Sequence, residues 1–427
     1  MAHQVFKKLH QLATGQTAKN VYIATFGNGL NATLGFVSTI IVSRVLGPAG
    51  FGIFSIAFGV FMSASKFTDL GVNYGMSRFV SKNSKAIWQP YAKYSLIVKL
   101  GLTLVVSIVG LLLSNHLAVS VFNKPELTNL LSWSFLALLG IMLLDFYTAL
   151  AQALGKFVTS VSIQMVTGII KLAVLGFLLY LSRLTTFNSY AVYLAVPLFG
   201  AVVGHFLING NYMKSKVDGT VSKQVLGFSA WMGVGIFISA IAGNLDTFMV
   251  GAKLSAFDTG IYAAANRLTS AVSLLASGVG TVLAVRASSF SEQKHLLPFL
   301  KKTLLLSLMF LVVGAVLWVL STPIIILTVG EAFVGSILLF KVLLLSALFS
   351  AAKSAFSANF FGHDKPQYFA FSAILSTVVI AFGNSFLIPL YGALGAAYVN
   401  LITSVLMFVF SLVFLRIFVS YGHKSTG

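Results

Sequence analysis

The stretch Gly35-Phe-Val-Ser-Thr-Ile-Ile-Val-Ser-Arg44, continuing as Val45-Leu-Gly-Pro-Ala-Gly-Phe-Gly-Ile-Phe-Ser-Ile-Ala57, decides how this chain is read. Both flanks are apolar and free of acids, and the middle, Leu46-Gly47-Pro48-Ala49-Gly50, has the composition of a tight turn. The pattern predicts two membrane-crossing helices joined by a short connection. Displaced by 208 positions, the chain repeats it. Gly35–Ser81 aligns without a gap on Gly243–Ser289, pairing Gly35 with Gly243, Thr39 with Thr247, Val42 with Val250 and Leu46 with Leu254. Gly52/Gly260, Ile53/Ile261, Ala57/Ala265, Ser65/Ser273, Arg78/Arg286 and Ser81/Ser289 continue the register. Arginine is rare beside apolar helices, so the in-register Arg78 and Arg286 argue for duplication over shared membrane composition.

Composition around that stretch agrees. Of 427 residues, 58% are hydrophobic and 9% charged, and mean hydropathy is +0.94. Soluble domains carry about 25% charged residues, because a folded surface must be solvated. The surface this chain expects is lipid. Its 28 basic against 9 acidic residues give a net charge of +19. Nucleic-acid binders cluster such charge on one soluble face, whereas here basic residues punctuate apolar runs, so no nucleic-acid partner is expected. Two readings fit: loops retained in the cytoplasm by their charge, or attraction to an anionic membrane surface and an anionic substrate. The absence of cysteine excludes a disulfide framework and a cysteine metal site. The first twenty residues lack the apolar core and small-residue cleavage site of a secretory signal, so the first membrane helix is expected to direct insertion.

A crossing helix needs about 20 mainly apolar residues. Segments meeting that need lie near 21–43, 51–72, 91–114, 128–152, 157–181 and 189–212, then near 224–250, 260–285, 300–322, 334–361, 367–389 and 393–419. The expectation is an all-α integral membrane protein of about twelve helices at that spacing, in two six-helix lobes. Residues 1–213 form the first lobe, 214–223 a cytoplasmic linker and 224–427 the second. The segment from Pro323 to Gly330 reads as a re-entrant or interfacial piece. Lys7, Lys8, Lys19, Lys82, Lys85, Lys156, Lys214, Lys223, Lys301 and Lys365 fall on one side, against Arg44, Lys124, Arg183 and Lys253 on the other. The bias predicts both termini in the cytoplasm. An offset of six helices preserves topology, so the halves are parallel repeats, an arrangement that places substrate between halves and alternates access by rocking them.

The repeated element carries a resemblance. Arg44-Val-Leu-Gly-Pro-Ala-Gly-Phe-Gly-Ile-Phe54 and Leu245-Asp-Thr-Phe-Met-Val-Gly251, with Gly260-Ile-Tyr-Ala-Ala-Ala-Asn-Arg-Leu268, resemble signatures of the polysaccharide-export family, the Wzx-type O-antigen flippases. So do Gly362-His-Asp-Lys-Pro-Gln367, Leu387-Ile-Pro-Leu-Tyr-Gly-Ala-Leu-Gly-Ala-Ala-Tyr398 and Ala151-Gln-Ala-Leu-Gly-Lys-Phe157. The resemblance covers most of the chain. It implies membership of the multidrug/oligosaccharidyl-lipid/polysaccharide (MOP) superfamily, with a MATE-like fold, in a bacterial inner membrane. It also implies flipping of an undecaprenyl-diphosphate-linked oligosaccharide to the outer leaflet, alongside glycan polymerase or ligase partners.

Ionisable residues at membrane depth cost several kcal/mol on insertion scales and are functional candidates by default. Lys66, Lys99, Lys171, Arg267, Lys341 and Lys353 fall inside expected helices, against Asp69, Asp145 and Asp246. This excess suggests a cationic cavity for a diphosphate, held by charge-assisted hydrogen bonds, with Arg267, Lys171, Lys66 and Lys341 as its substrate contacts. Lys66 and Asp69, three apart, share a helical face and read either as an ion pair or as one wall of the cavity entrance. Lys171 is too deep to snorkel and either pairs with Asp145 or meets substrate. Lys99 and Lys353 read as snorkelling side chains. Arg44 is either a gate or an interfacial anchor, and Arg78 and Arg286 are expected at cytoplasmic headgroups. Asp246 aligns with Ser38 in the repeat, and reads either as the seat of a coupling proton or sodium ion or as the counter-ion of Arg267. No other cofactor is expected.

No Gly-rich phosphate loop followed by Lys-Ser/Thr occurs, and no outer loop holds paired acids, so ATP drive and glycosyl transfer within the chain are not expected. Two competing functions stay open: a cation-coupled multidrug exporter of the same superfamily, and a membrane glycan ligase or scaffold.

Overall fold

The protein is described from a computed structural model, which covers residues 16–83, 87–208, 211–288, 311–361 and 367–424. Nearly all of it is helix. In lipid no water satisfies a free backbone N–H or C=O, so a spanning segment must satisfy its own. The helices are α1 (Gln16–Phe67), α2 (Val72–Asn83), α3 (Gln89–His116), α4 (Leu127–Leu136), α5 (Leu138–Ala153), α6 (Phe157–Tyr180), α7 (Thr186–Ile208) and α8 (Gly219–Ala242). They continue as α9 (Leu245–Lys253), α10 (Ala256–Ser288), α11 (Leu311–Val319), α12 (Ser321–Thr328), α13 (Ser336–Phe361), α14 (Gln367–Tyr391) and α15 (Ala393–Lys424).

Among the described residues, eight helices are long and apolar enough to cross a bilayer, or up to ten when each of two bent pairs counts as one span. That tally takes Thr25–Phe67 as a single crossing of 43 residues. At 1.5 Å per residue it would be about 65 Å long, roughly twice a hydrocarbon core. It is broken at Gly47, whose φ of 64° and ψ of 178° leave the helical region. Glycine adopts this conformation without the steric penalty a Cβ would bring. The bent pairs are α4–α5, at 43°, and α11–α12, at 67°. The second contains Pro323 and is the segment read as re-entrant or interfacial; the first bend carried no sequence signal. Part of the expected span 300–322, the Gly362–Pro366 stretch and the side chain of Arg286 lie outside the described residues.

The chain divides into two compact units, residues 1–45 with 57–241 and residues 46–56 with 242–427. In the first, α5 is central: Met142, Phe146, Leu150 and Ala151 are buried against Met76 and Val80 of α2 and Ala92 of α3. Glycines bring α6 and α7 close. A Cβ on Gly200 would overlap Thr167, and one on Gly204 would crowd Tyr147; small residues permit such approach where lipid supplies no hydrophobic drive between helices. Helix α8 packs in this unit through Phe67–Phe237, at 5.4 Å between ring centroids, and through Tyr91, which donates to Gln224 at 2.8 Å. The outward faces of α3 and α7 are large and apolar, with Leu104, Leu112 and Phe206 exposed, as a lipid-facing surface requires.

In the second unit, the segment 46–56 packs on the start of α10 with internal symmetry. A Cβ on Gly52 would overlap the Ala256 carbonyl oxygen, and one on Gly260 would overlap the Pro48 carbonyl oxygen. Residues 48 and 256, like 52 and 260, stand in register in the repeat. The two copies of the duplicated turn therefore grip each other reciprocally, backbone to backbone. Phe51 stacks on Phe54 and meets Phe333 edge-on, and Ser336 donates to the Ile261 carbonyl at 2.7 Å.

Candidate functional site

Within the first unit, α1, α5, α6 and α7 enclose a cavity of about 430 Å³. Pro197 helps to shape it. Proline lacks an N–H and its ring crowds the carbonyl four residues back, here that of Tyr193, and both residues line the same space. Gly168 of α6 lets Asn31 and Leu34 of α1 approach. The Asn31 amide donates to Gln164 Oε1 at 3.3 Å across the cavity wall. Phe58 packs edge-on against Tyr193, with ring centroids 5.3 Å apart, and the Lys171 ammonium lies 4.9 Å from the Tyr193 ring centre. Asp145 of α5 lines the cavity too, and is the single acid among the lining residues, as Lys171 is the single cation.

Behind Asp145 stands a charge cluster. Lys99, with 0% exposure, donates to Asp69 Oδ1 at 2.8 Å, and Asp69 is 14% exposed. The same oxygen accepts the Asn73 N–H at 3.1 Å, so Asp69 also caps the N-terminus of α2. Lys99, Lys66 and Asp69 all lie within electrostatic reach of Asp145. Two expectations are corrected here. Lys99 does not snorkel; it is buried and ion-paired. The partner given to Asp69 by sequence spacing, Lys66, is replaced by Lys99, because α1 ends at Phe67 and Asp69 sits in the following turn. The three-residue rule applies only while the helix continues.

The second unit holds a different cluster. Asp246, in the first turn of α9, accepts Asn384 Nδ2 at 2.7 Å and Asn400 Nδ2 at 2.8 Å. The fully buried Tyr262 hydroxyl faces the same carboxylate. Ser346 bonds the Asn400 side chain, the Asn400 carbonyl at 3.2 Å and Ser404 at 2.7 Å, and Ser404 meets Ser350 at 3.0 Å. Among the described residues, Asn384, with 0% exposure, has no partner for its Oδ1. Among the described residues, no group of three or more His, Cys, Asp or Glu is arranged to hold a metal ion.

The remaining sequence candidates are placed as follows. Lys66 and Arg267 are exposed, and Lys341 is half-buried with its ammonium 5.6 Å from the Trp318 ring centre. Arg44 is exposed at the end of the first α1 segment. Arg78 lays its guanidinium over Phe228, 4.6 Å from the ring centre. The reading of ionisable residues missed Asn31, Gln164, Asn384 and Asn400. An amide inside an apolar span was the available signal, since it too needs partners there.

Comparison with known proteins places this geometry. The sequence model of the family described as "Polysaccharide biosynthesis protein" matches residues 17–285, more than half of the chain. A search of curated protein sequences finds no match. Among solved structures, the chain resembles an inward-facing multidrug resistance MATE family transporter of the MOP superfamily, with TM-score 0.76 and 15% identity over 93% of this chain and 96% of that one. It resembles the lipid II flippase MurJ in an inward closed conformation, with TM-score 0.75 and 15% identity over 92% and 87%. A MOP superfamily transporter from Pyrococcus furiosus, reported with a binding pocket of reversed polarity, gives TM-score 0.66 and 15% identity over 96% and 97%. At such identity the structures speak for the fold, and the family match speaks for descent. The chain is thus a multi-pass α-helical membrane protein that belongs to the polysaccharide biosynthesis protein family and has the fold of MOP-superfamily transporters.

Proposed function

We propose that this protein is a flippase that carries undecaprenyl-diphosphate-linked oligosaccharide from the cytoplasmic to the outer leaflet of a bacterial inner membrane, by alternating access and with both termini inside. The observation that carries the reading is a charged, amide-lined cavity inside an apolar helical unit of a chain in the polysaccharide biosynthesis family. An ionisable group at that depth is costly and is retained where a polar cargo passes. The likeness to a lipid II flippase in fold supports the same class of cargo. Of the expected cations, Lys66, Arg267 and Lys341 are the proposed partners of the diphosphate. Lys171 belongs to the cavity wall. Polymerase and ligase enzymes acting on the exported unit are the expected partners.

The coupling reading places a proton or sodium ion at Asp246. Its carboxylate, the unpartnered Asn384 Oδ1 and the Tyr262 hydroxyl supply the oxygen ligands a hard cation takes. Replacing Asp246 with Asn should leave insertion intact and remove the dependence of transport on the ion gradient.

The test is transport in proteoliposomes loaded with lipid-linked oligosaccharide, scored by accessibility of the glycan to an added glycosidase. Ion-dependent translocation is expected, and its loss in Lys66→Ala and Arg267→Ala. Protection of drug-sensitive cells without glycan translocation would favour the exporter reading. Finished lipid-linked units already outside in deletion cells would favour a ligase.

A further inference from the structure

The cavity of the first unit is built differently from a diphosphate site. Its lining carries one cation and one acid, Lys171 and Asp145, so its formal charge cancels. A diphosphate seated there would face the Asp145 carboxylate, and a phosphate beside an acid is repelled. The rest of the wall is neutral and hydrogen-bonding. Asn31 and Gln164 bridge two helices and present further amide donors and acceptors. Thr148 and Thr167 spend their protons on the Leu144 and Ile163 carbonyls, at 2.9 and 2.7 Å, which leaves their oxygens as acceptors. Phe58, half-buried and held edge-on by Tyr193, offers an apolar platform.

Hydroxyl groups that both give and accept hydrogen bonds, on a ring with one apolar face, fit this wall. We infer that the cavity is a glycan subsite, which takes the sugar nearest the lipid and excludes the diphosphate. Asp145 sets specificity, because its carboxylate opposes any added negative group. Lys66 lies outside the wall and is the cation the flippase reading gives to the diphosphate that follows the sugar. The volume, about 430 Å³, lies in the range of small-molecule sites. This inference rests on the flippase reading and deepens it.

The experiment uses purified full-length protein in nanodiscs. The probes are intact lipid-linked oligosaccharide from producing cells, the free oligosaccharide released from it by mild acid, and inorganic diphosphate. The free glycan should bind the parent protein, and diphosphate should not displace it. Asn31→Ala and Gln164→Ala should each weaken glycan binding about tenfold, the scale of one lost hydrogen bond and an orphaned partner, with thermal unfolding midpoints near the parent's. Asp145→Asn removes the lining carboxylate while Lys171 stays in the wall, and should let diphosphate compete with the glycan. That gain is one a merely structural role would not produce. Intact lipid-linked oligosaccharide binding without free-glycan binding, or diphosphate competing in the parent protein, would overturn the glycan subsite and leave the flippase standing. If neither the intact nor the released molecule binds, the flippase reading itself fails, and the subsite falls with it.

Discussion

Gly35–Ser81 and Gly243–Ser289 align as a repeat in the sequence, yet the polar interiors of the two units differ. At one register of the repeat, the first unit has Ser38, fully buried, whose hydroxyl does no more than bond the Leu34 carbonyl at 2.7 Å. The second has Asp246, held by amides from α14 and α15. The first unit instead gathers its charge elsewhere, in the Lys99–Asp69 pair and in Asp145 and Lys171 around an open cavity. The repeat keeps the glycines, Gly52 and Gly260, that let the two turns interlock. Single-residue differences separate the chemistry: a cavity lined by Asp145 and Lys171 in one unit, an amide-held acid in the other.

That contrast can be broken at four points. Lys99→Met removes the cation from a buried pair and should cost about 3–5 kcal/mol, because Asp69 is left uncompensated. Thermal unfolding in detergent would read it, and Lys99→Met combined with Asp69→Leu should recover much of the loss. Ser38→Asp writes the second unit's acid into the first, where no amide pair awaits it, and should cost about 3 kcal/mol on insertion scales. If the variant inserts and unfolds like the parent, the amide cage around Asp246 is not what makes an acid tolerable. Gly52→Ala should cost about 1–3 kcal/mol by overpacking, and Gly260→Ala the same. Because each glycine meets the other turn's backbone, the double variant should cost less than the sum, which a double-mutant cycle measures. Arg78→Gln removes a guanidinium from the Phe228 face, and should cost about 0.5–1 kcal/mol at this exposed site.

Legibility followed the range of the physics involved. The apolar spans could be read because crossing lipid is a property of some twenty consecutive residues. The break at Gly47 could be read because Leu46-Gly47-Pro48-Ala49-Gly50 has local turn chemistry. The bend between α4 and α5 could not, since Ser134-Phe135-Leu136-Ala137 contains no breaker. Asp145 and Lys171 were singled out by charge, but their shared cavity depends on α5, α6 and α7 meeting through Gly200, Gly204 and Pro197. Lys66 and Asp69 show how a spacing rule fails where a helix stops: two residues past Phe67, Asp69 turns to α3 and caps α2.

By itself the sequence determined the solvent. Charge so sparse and apolar runs so long leave lipid as the only surface the chain can face, and backbone hydrogen bonding in lipid then demands helices. It determined the duplication as well, since register is a one-dimensional property. Tertiary structure alone decided which polar groups meet: Lys99 with Asp69, Asn384 and Asn400 with Asp246, Asn31 with Gln164. Each of these joins helices distant in the chain, and the partner of a buried polar group is set by which helical faces pack together.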